Sequence, residues 1–205
     1  MTSLYNKVYN LFHQWLSTEE EDYITFTEWI QDKMIYLNGR LHSPTIQYKN
    51  HINASLLNNP QNATITATND YIQITTSTSG EKKVNTPFSF NSATNCFIEW
   101  TYVSGGTTQP IAFSMNSSSN SATGGYFSYN GTSFSFALGT STTLTRTVNN
   151  GDKITVVRYN GDTEVYHNGV IIHKATKSFS GNVMFGFYTN KSRVQRLKDI
   201  RVGTL

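Results

Sequence analysis

Up to Pro44 the apolar residues repeat with a helical period; beyond Ala63 that period gives way to alternation. Leu4, Val8, Leu11, Phe12 and Trp15 fall three and four residues apart, the spacing of one helix face. A second helix is signalled by the capping box Thr25-Phe26-Thr27-Glu28 and by Gly39, which follows Asn38 as a C-terminal stop. Phe26, Trp29, Ile30, Met34 and Leu37 form its apolar stripe, and the acidic run Glu19 to Asp22 complements its dipole. Helices this short do not bury both stripes unaided. Residues 1–41 therefore read as a helical attachment or oligomerisation segment, packed on the rest of the chain, on itself or on other copies. Residues 42–62 are polar, carry Pro44 and Pro60, and read as a connector with one short strand around Thr45 to Tyr48.

From residue 63 to 205 short β-branched and aromatic runs are punctuated by Gly, Asn and Ser clusters. The predicted strands are Ile65–Thr68, Tyr71–Ser77, Cys96–Val103, Ile111–Met115, Gly125–Tyr129 and Ser133–Leu138. They continue with Leu144–Val148, Lys153–Tyr159, Thr163–His167, Val170–His173, Val183–Tyr188 and Val194–Val202. No helical run of crossover length separates them, so the pattern predicts a mainly β, antiparallel two-sheet sandwich or jelly roll.

Asn-Gly occurs between strand-like runs at Asn130-Gly131, Asn160-Gly161 and Asn168-Gly169. Both central residues of a type I′ turn need positive φ, which Asn-Gly tolerates best. Two-residue loops then set a register. Tyr159 pairs with Asp162, Val157 with Glu164 and Val156 with Val165. After the next turn His167 pairs with Val170, Tyr166 with Ile171, Val165 with Ile172 and Glu164 with His173. One face collects Ile154, Val156, Val165, Val170 and Ile172, with His167 at its edge as a satisfied structural histidine. The other collects Thr155, Val157, Tyr159, Asp162, Glu164, Tyr166, Ile171 and His173.

Composition narrows the function. The chain of 205 residues is 14% charged with a net charge of +3, and the basic residues from Lys191 to Arg201 are spread along one strand-like run. That gives no concentrated basic face for nucleic acid. No run approaches a membrane span. The single cysteine, Cys96, lies in the apolar run Cys96-Phe97-Ile98-Glu99-Trp100 and reads as a buried thiol, beside a Trp100 that reads as core. The start, Met1-Thr2-Ser3-Leu4, lacks the charged-then-apolar pattern of a secretory signal. So either the protein is not secreted by that route or a signal was trimmed, and a charge-poor, hydroxyl- and amide-rich surface suits a virion or extracellular protein. The five Asn-Xaa-Ser/Thr sequons, from Asn53 to Asn190, are what chance yields in so Asn- and Thr-rich a chain.

A resemblance enters with the segment Asp162-Thr163-Glu164-Val165-Tyr166-His167-Asn168-Gly169-Val170-Ile171-Ile172. It resembles the V-Y-x-N-G hairpin of concanavalin A-like and laminin-G-like domains. Gly181 to Phe187 is similar to the next strand of that pattern, and Leu197-Lys198-Asp199-Ile200-Arg201-Val202 to its closing strand. The resemblance covers Asp152 to Val202 and implies a concanavalin A-like jelly roll; the fold itself hosts lectins, hydrolases and structural modules. A helical segment ahead of such a domain is similar to phage tail receptor-binding proteins. In those, the N-terminal part attaches to other virion proteins or trimerises, and the β-domain binds saccharide on the host surface.

The candidate chemistry is sugar binding, which needs an aromatic platform and convergent polar groups. Tyr159, Tyr166, Glu164 and His173 share the mixed face of the meander. A second candidate is the Ser- and Asn-rich stretch Asn116 to Gly125 followed by Tyr126 and Tyr129. Cross-strand packing is the competing role for each tyrosine. Glycosidases of this fold place paired carboxylates as Glu-x-Asp-x-x-Glu, a spacing missing from the β-region, so no catalytic residue is expected. His173 opposite Glu164 reads as an ion pair. Asp70, Asp152 and Asp162 with neighbouring asparagines lack the spacing of a calcium loop, so no metal and no cofactor are expected. The leading expectation is a non-enzymatic adhesin of tail-fibre type, homo-oligomeric, that binds a cell-surface glycan or receptor. The alternatives are a structural virion protein of the same fold and, third, a glycoside hydrolase.

Overall fold

Asn160 and Gly161 stand at φ 48° and 88°, and Asn168 and Gly169 at 50° and 75°. Both pairs form the left-handed two-residue turns that fold the meander. The computed structural model describes residues 34–38, 40–42, 57, 63–76, 82–105, 111–117, 126–129, 132–138, 140–176, 182–189 and 193–205. Among these the chain begins with a hairpin of β1 (Ile35–Leu37) and β2 (Arg40–His42). β3 (Thr64–Ala67), β4 (Ile72–Thr76), β5 (Lys82–Asn91), β6 (Cys96–Tyr102) and β7 (Ile111–Ser117) follow. Next come β8 (Tyr126–Tyr129), β9 (Ser133–Leu138) and β10 (Thr140–Thr145). β11 (Lys153–Tyr159), β12 (Asp162–His167), β13 (Val170–Thr176), β14 (Asn182–Thr189) and β15 (Arg193–Thr204) complete the set.

Two antiparallel sheets result. The seven-stranded sheet runs β13-β12-β11-β6-β15-β4-β3 and the six-stranded sheet β10-β9-β8-β7-β14-β5. Their facing sides share one core. Ile98, Trp100, Val156, Val165, Leu197 and Val202 come from the first sheet; Phe134, Phe136, Val183, Phe185 and Phe187 come from the second. Trp100 meets Phe187 edge to face, with ring centroids 5.4 Å apart. Full burial of each large apolar side chain contributes about 1.5–3 kcal/mol, so this shared layer drives the sheets together. Leu57, from the segment read as a connector, is buried in the same cluster.

Three elements differ from the sequence reading. Met34 and Leu37, read as the end of the second helix's apolar stripe, instead open the β1–β2 hairpin, with Leu37 paired to Arg40 and Asn38 at φ 47°. Asn-Gly serves equally as a helix stop and as a hairpin turn, and here it turns a hairpin. The Thr25 capping box, the first helix and the Thr45–Tyr48 strand lie outside the described residues. β5 escaped detection because Pro87 argues against a strand; it is the edge of its sheet, where a missing N–H is tolerated. The strand expected at Leu144–Val148 is β10, displaced toward the N-terminus.

The predicted register holds across Asn160-Gly161 and for the first two pairs after Asn168-Gly169. It then shifts between Val165 and Tyr166, and Val165 pairs with His173 and Glu164 with Lys174. This β-bulge turns His173 to the inner face, where it stacks on Phe136 with ring centroids 4.2 Å apart. Val170, expected inside, is 52% exposed at the turn. In the closing strand Asp199 takes φ 51° at a second register shift, and its carboxylate accepts from the Thr101 hydroxyl at 3.1 Å. Asp tolerates the left-handed region better than most residues, which accounts for its place in the Leu-x-Asp-Ile-x-Val pattern.

Candidate functional site

Alternation along the meander puts Val157 and Tyr159 of β11, Glu164 and Tyr166 of β12, and Ile171 and Lys174 of β13 on the outer face of the seven-stranded sheet. The β1–β2 hairpin lies over part of that face. Ile35 and Leu37 pack against Phe97, Val157 and Tyr166, with Ile171 and Leu205 beside them. The Asn38 N–H donates to the Gly169 carbonyl at 2.8 Å. Under the start of the hairpin, Arg201 and Glu99 form a buried ion pair at 3.3 Å. Arg201 also donates to the Met34 carbonyl at 3.3 Å, and Thr155 Oγ1 donates to Glu99 at 2.9 Å.

Between the hairpin and the meander a cavity of about 410 Å³ remains. Its apolar lining includes Leu37, Val157 and Ile171, and its polar lining includes Asn38, Arg40, Glu164 and Lys174. Tyr159 and Tyr166 contribute rings; Tyr159 is 44% exposed, whereas Tyr166 is buried. The Tyr166 hydroxyl donates to Glu164 Oε2, and Lys174 Nζ donates to Glu164 Oε1 at 2.9 Å. Lys174 also pairs with Asp162 at 2.8 Å, and Thr176 donates to the same carboxylate at 2.6 Å. Burial, reinforced by the neighbouring Glu164 carboxylate, pushes the Tyr166 phenol well above its ordinary range. Hydrogen bonds to Asp162 and Glu164 raise Lys174, and the bonds from Lys174 and Thr176 lower Asp162. Tyr166 thus stays a neutral donor while Lys174 and Asp162 stay charged.

Of the six residues expected to bind sugar, Tyr159, Tyr166 and Glu164 line this cavity together. His173 is on the other face because of the bulge, and Lys174 stands opposite Glu164 in its place. Tyr129 is a core residue, 4% exposed, whose hydroxyl donates to the Val148 carbonyl at 2.9 Å and accepts from its N–H at 3.0 Å. Tyr126 begins β8, and its side chain lies outside the described residues. The sequence reading missed Asn38, Arg40 and Lys174. The Asn38-Gly39 dipeptide held the signal for the first two, while nothing in the chain marked the bulge that selects Lys174.

His167 belongs to a separate polar cluster. Arg146 Nε donates to its Nδ1 at 2.6 Å, which leaves Nε2 to carry the proton toward Asp152 Oδ2 at 2.8 Å. Asp152 also accepts from Asn168 Nδ2 at 2.9 Å and from the Asn149 N–H at 2.7 Å. Partial burial opposes ionisation of Asp152, but these bonds outweigh it and hold the carboxyl below its usual value. The histidine is satisfied, and the cluster ties the chain before β11 to the turn after β12. Among the described residues no group of three or more His, Cys, Asp or Glu side chains is placed to hold a metal ion, and no helix is long and apolar enough to cross a membrane.

Cys96 is fully buried, and burial pushes its thiol up to about 12 against the opposing charge of Arg158. The thiolate is the reactive form. At pH 8 a thiol reagent should therefore label native protein slowly, at the rate of unfolding, and labelling should become fast in denaturant. Rapid labelling of the native chain would put Cys96 outside the core.

The class defined by these sheets is the antiparallel jelly-roll sandwich, in keeping with the concanavalin A-like resemblance of β12–β15. No family model matches the chain, and no curated protein sequence does. Solved structures do. The carbohydrate-binding module CBM66 from Bacillus subtilis matches 72% of this chain and 95% of its own at a TM-score of 0.51 and 14% identity. The carbohydrate recognition domain of Emp47p matches 84% and 93% at 0.52 and 12%. The endo-β-1,3-glucanase from Pyrococcus furiosus matches 84% and 98% at 0.54 and 9%. At such identities these likenesses show the shared fold.

Proposed function

We propose that this chain is a carbohydrate-binding module and that the cavity between the β1–β2 hairpin and the meander receives the sugar. The observation that carries the proposal is a half-exposed aromatic, Tyr159, at a cavity of about 410 Å³ that also gathers Asn38, Arg40, Glu164 and Lys174. Small-ligand sites run from about 300 to 1,000 Å³, which suits one or two sugar rings. Structural relatives described as a carbohydrate-binding module and a carbohydrate recognition domain support the same reading.

The role is binding without turnover. Glycoside hydrolysis uses two carboxyl groups about a single bond. Among the described residues Glu164 is the carboxylate side chain lining the cavity, and both its oxygens already accept hydrogen bonds. In its fuller form the reading is a virion adhesin of tail-fibre type that recognises a host-surface glycan, with the segment ahead of the β1–β2 hairpin joining copies of the chain or other virion proteins. What supports that extension is the charge-poor, hydroxyl- and amide-rich composition and the presence of a further segment ahead of a jelly-roll domain.

A glycan array probed with the purified full chain tests the binding role. Binding to at least one saccharide class is expected, and Tyr159→Ala should weaken it by about tenfold or more without changing thermal stability. Absence of any saccharide binding would favour the structural-protein alternative. Unchanged affinity in the variant would move the site elsewhere.

A further inference from the structure

We infer that the outer edge of β10 pairs with the same edge of a second copy of the chain, antiparallel about a two-fold axis at Thr143. This pairing is independent of the carbohydrate-binding reading and of the segment ahead of the β1–β2 hairpin.

A sheet edge presents unpaired N–H and C=O groups, and proteins blunt such edges with short strands, lysine, proline or bulges. Among the described residues the two large sheets end in four strands, β3 and β13 on one and β5 and β10 on the other. Three of these carry a blunting device. β3 is four residues long. β13 has Ile172 as the extra residue of its bulge, with Lys174 beyond it. β5 contains Lys82, Lys83 and Pro87, and its register breaks opposite Phe185. β10, Thr140-Ser141-Thr142-Thr143-Leu144-Thr145, has neither charge nor proline. It pairs with β9 along its whole length without a register shift. Ser141, Thr142, Thr143 and Thr145 are exposed.

The phase of the hydrogen bonds tells which groups this edge offers. The Arg146 N–H donates to the Thr132 carbonyl at 2.9 Å, one step past the Thr145–Ser133 pair. Hydrogen-bonded and non-hydrogen-bonded positions alternate along an antiparallel pair. Thr140, Thr142 and Leu144 therefore turn their backbone groups toward β9, and Ser141, Thr143 and Thr145 turn theirs outward.

A second β10 set antiparallel about Thr143 puts these outward residues opposite one another. Thr143 faces Thr143 and Ser141 faces Thr145, so every outward N–H and C=O of the three finds a partner. Leu144, half-buried, comes opposite Thr142 of the other copy. A charged foreign strand would find no counter-charge here, whereas the strand's own sequence sets hydroxyl against hydroxyl, a favourable cross-strand pair. The arrangement closes on itself as a two-fold dimer. β10 contributes no residue to the cavity lining, so the dimer would present two cavities to a surface that bears their ligand.

Sedimentation equilibrium of the full chain from about 1 to about 500 µM tests the pairing. The fitted mass should double across that range, as suits a small polar interface with a dissociation constant of about 1–100 µM. Thr143→Pro deletes an outward N–H that β9 does not use, and Thr143→Lys places like charges on the axis. Each should weaken the association by about tenfold or more, with the thermal midpoint unchanged at the dilute end. Thr143→Cys should join two copies by a disulfide on mild oxidation. Hydrogen-bonded antiparallel positions stand about 5.5 Å apart between Cα atoms, which a disulfide spans. Cys96 is buried and does not compete. Thr66→Cys, exposed on β3, should cross-link only at the rate of chance encounter. A constant mass over the whole range would overturn the inference. So would a doubling that survives both Thr143→Pro and Thr143→Lys, or cross-linking no faster in Thr143→Cys than in Thr66→Cys.

Discussion

Replacing Trp100 with alanine should lower the stability of the fold by about 3–5 kcal/mol. Trp100 is 1% exposed in the shared core and meets Phe187 of the opposite sheet edge to face. Its loss removes a large apolar contact and opens a space that neighbours in two hydrogen-bonded sheets can fill only in part. Domains of this size are stable by about 5–15 kcal/mol, so the variant would stand near the threshold of folding. Urea denaturation should show a lower midpoint with an unchanged slope. Val170→Ala is the informative control, because the alternation of the meander counts Val170 as core while the structure exposes 52% of it. That change should stay within about 0.5 kcal/mol. A loss of several kcal/mol for Val170→Ala, or under about 1 for Trp100→Ala, would mean the sheets face each other differently.

Glu99→Ala should also be severe, at about 3–5 kcal/mol, because it strands the buried Arg201 guanidinium without its carboxylate. The same pair in water would contribute under about 1 kcal/mol. The size of the effect therefore reports whether the β1–β2 hairpin covers this face. The double variant Glu99→Leu with Arg201→Met should recover much of the loss, since an apolar pair leaves no buried charge. A mild Glu99→Ala would show the ion pair to be solvated. The hairpin would then be displaced from the sheet, and the cavity it helps to line would lose one wall.

Much of the fold was legible because two signals agreed. Asn-Gly at 160 and 168 set the turns, and residues paired through those turns sorted into an apolar and a mixed face. Val156 and Val165 are in the core as that sorting requires, and Tyr159, Glu164 and Tyr166 do share the opposite face. His173 shows where such reasoning stops. A strand has a side-chain period of two, so a single extra residue at the bulge exchanges His173 for Lys174 at the cavity. No residue type announces that bulge. Tyr129 shows a second boundary. Its ring is apolar and its hydroxyl polar, so the chain is consistent with either a platform or a core residue. The Val148 backbone decides for the core by satisfying the hydroxyl.

What the chain determined by itself is local: turn chemistry at Asn-Gly, alternation along each strand, and the apolar runs that make two sheets bury one face together. These depend on φ preferences and on the periodicity of one strand at a time. Only the tertiary structure decided which outer face acquires a hairpin, that Arg40 and Lys174 join Tyr159 and Glu164 around one cavity, and that Glu99 and Arg201 meet under its edge. Those outcomes depend on contacts between segments more than a hundred residues apart. Their strength comes from burial and from the pairing of buried charges, which no local pattern encodes.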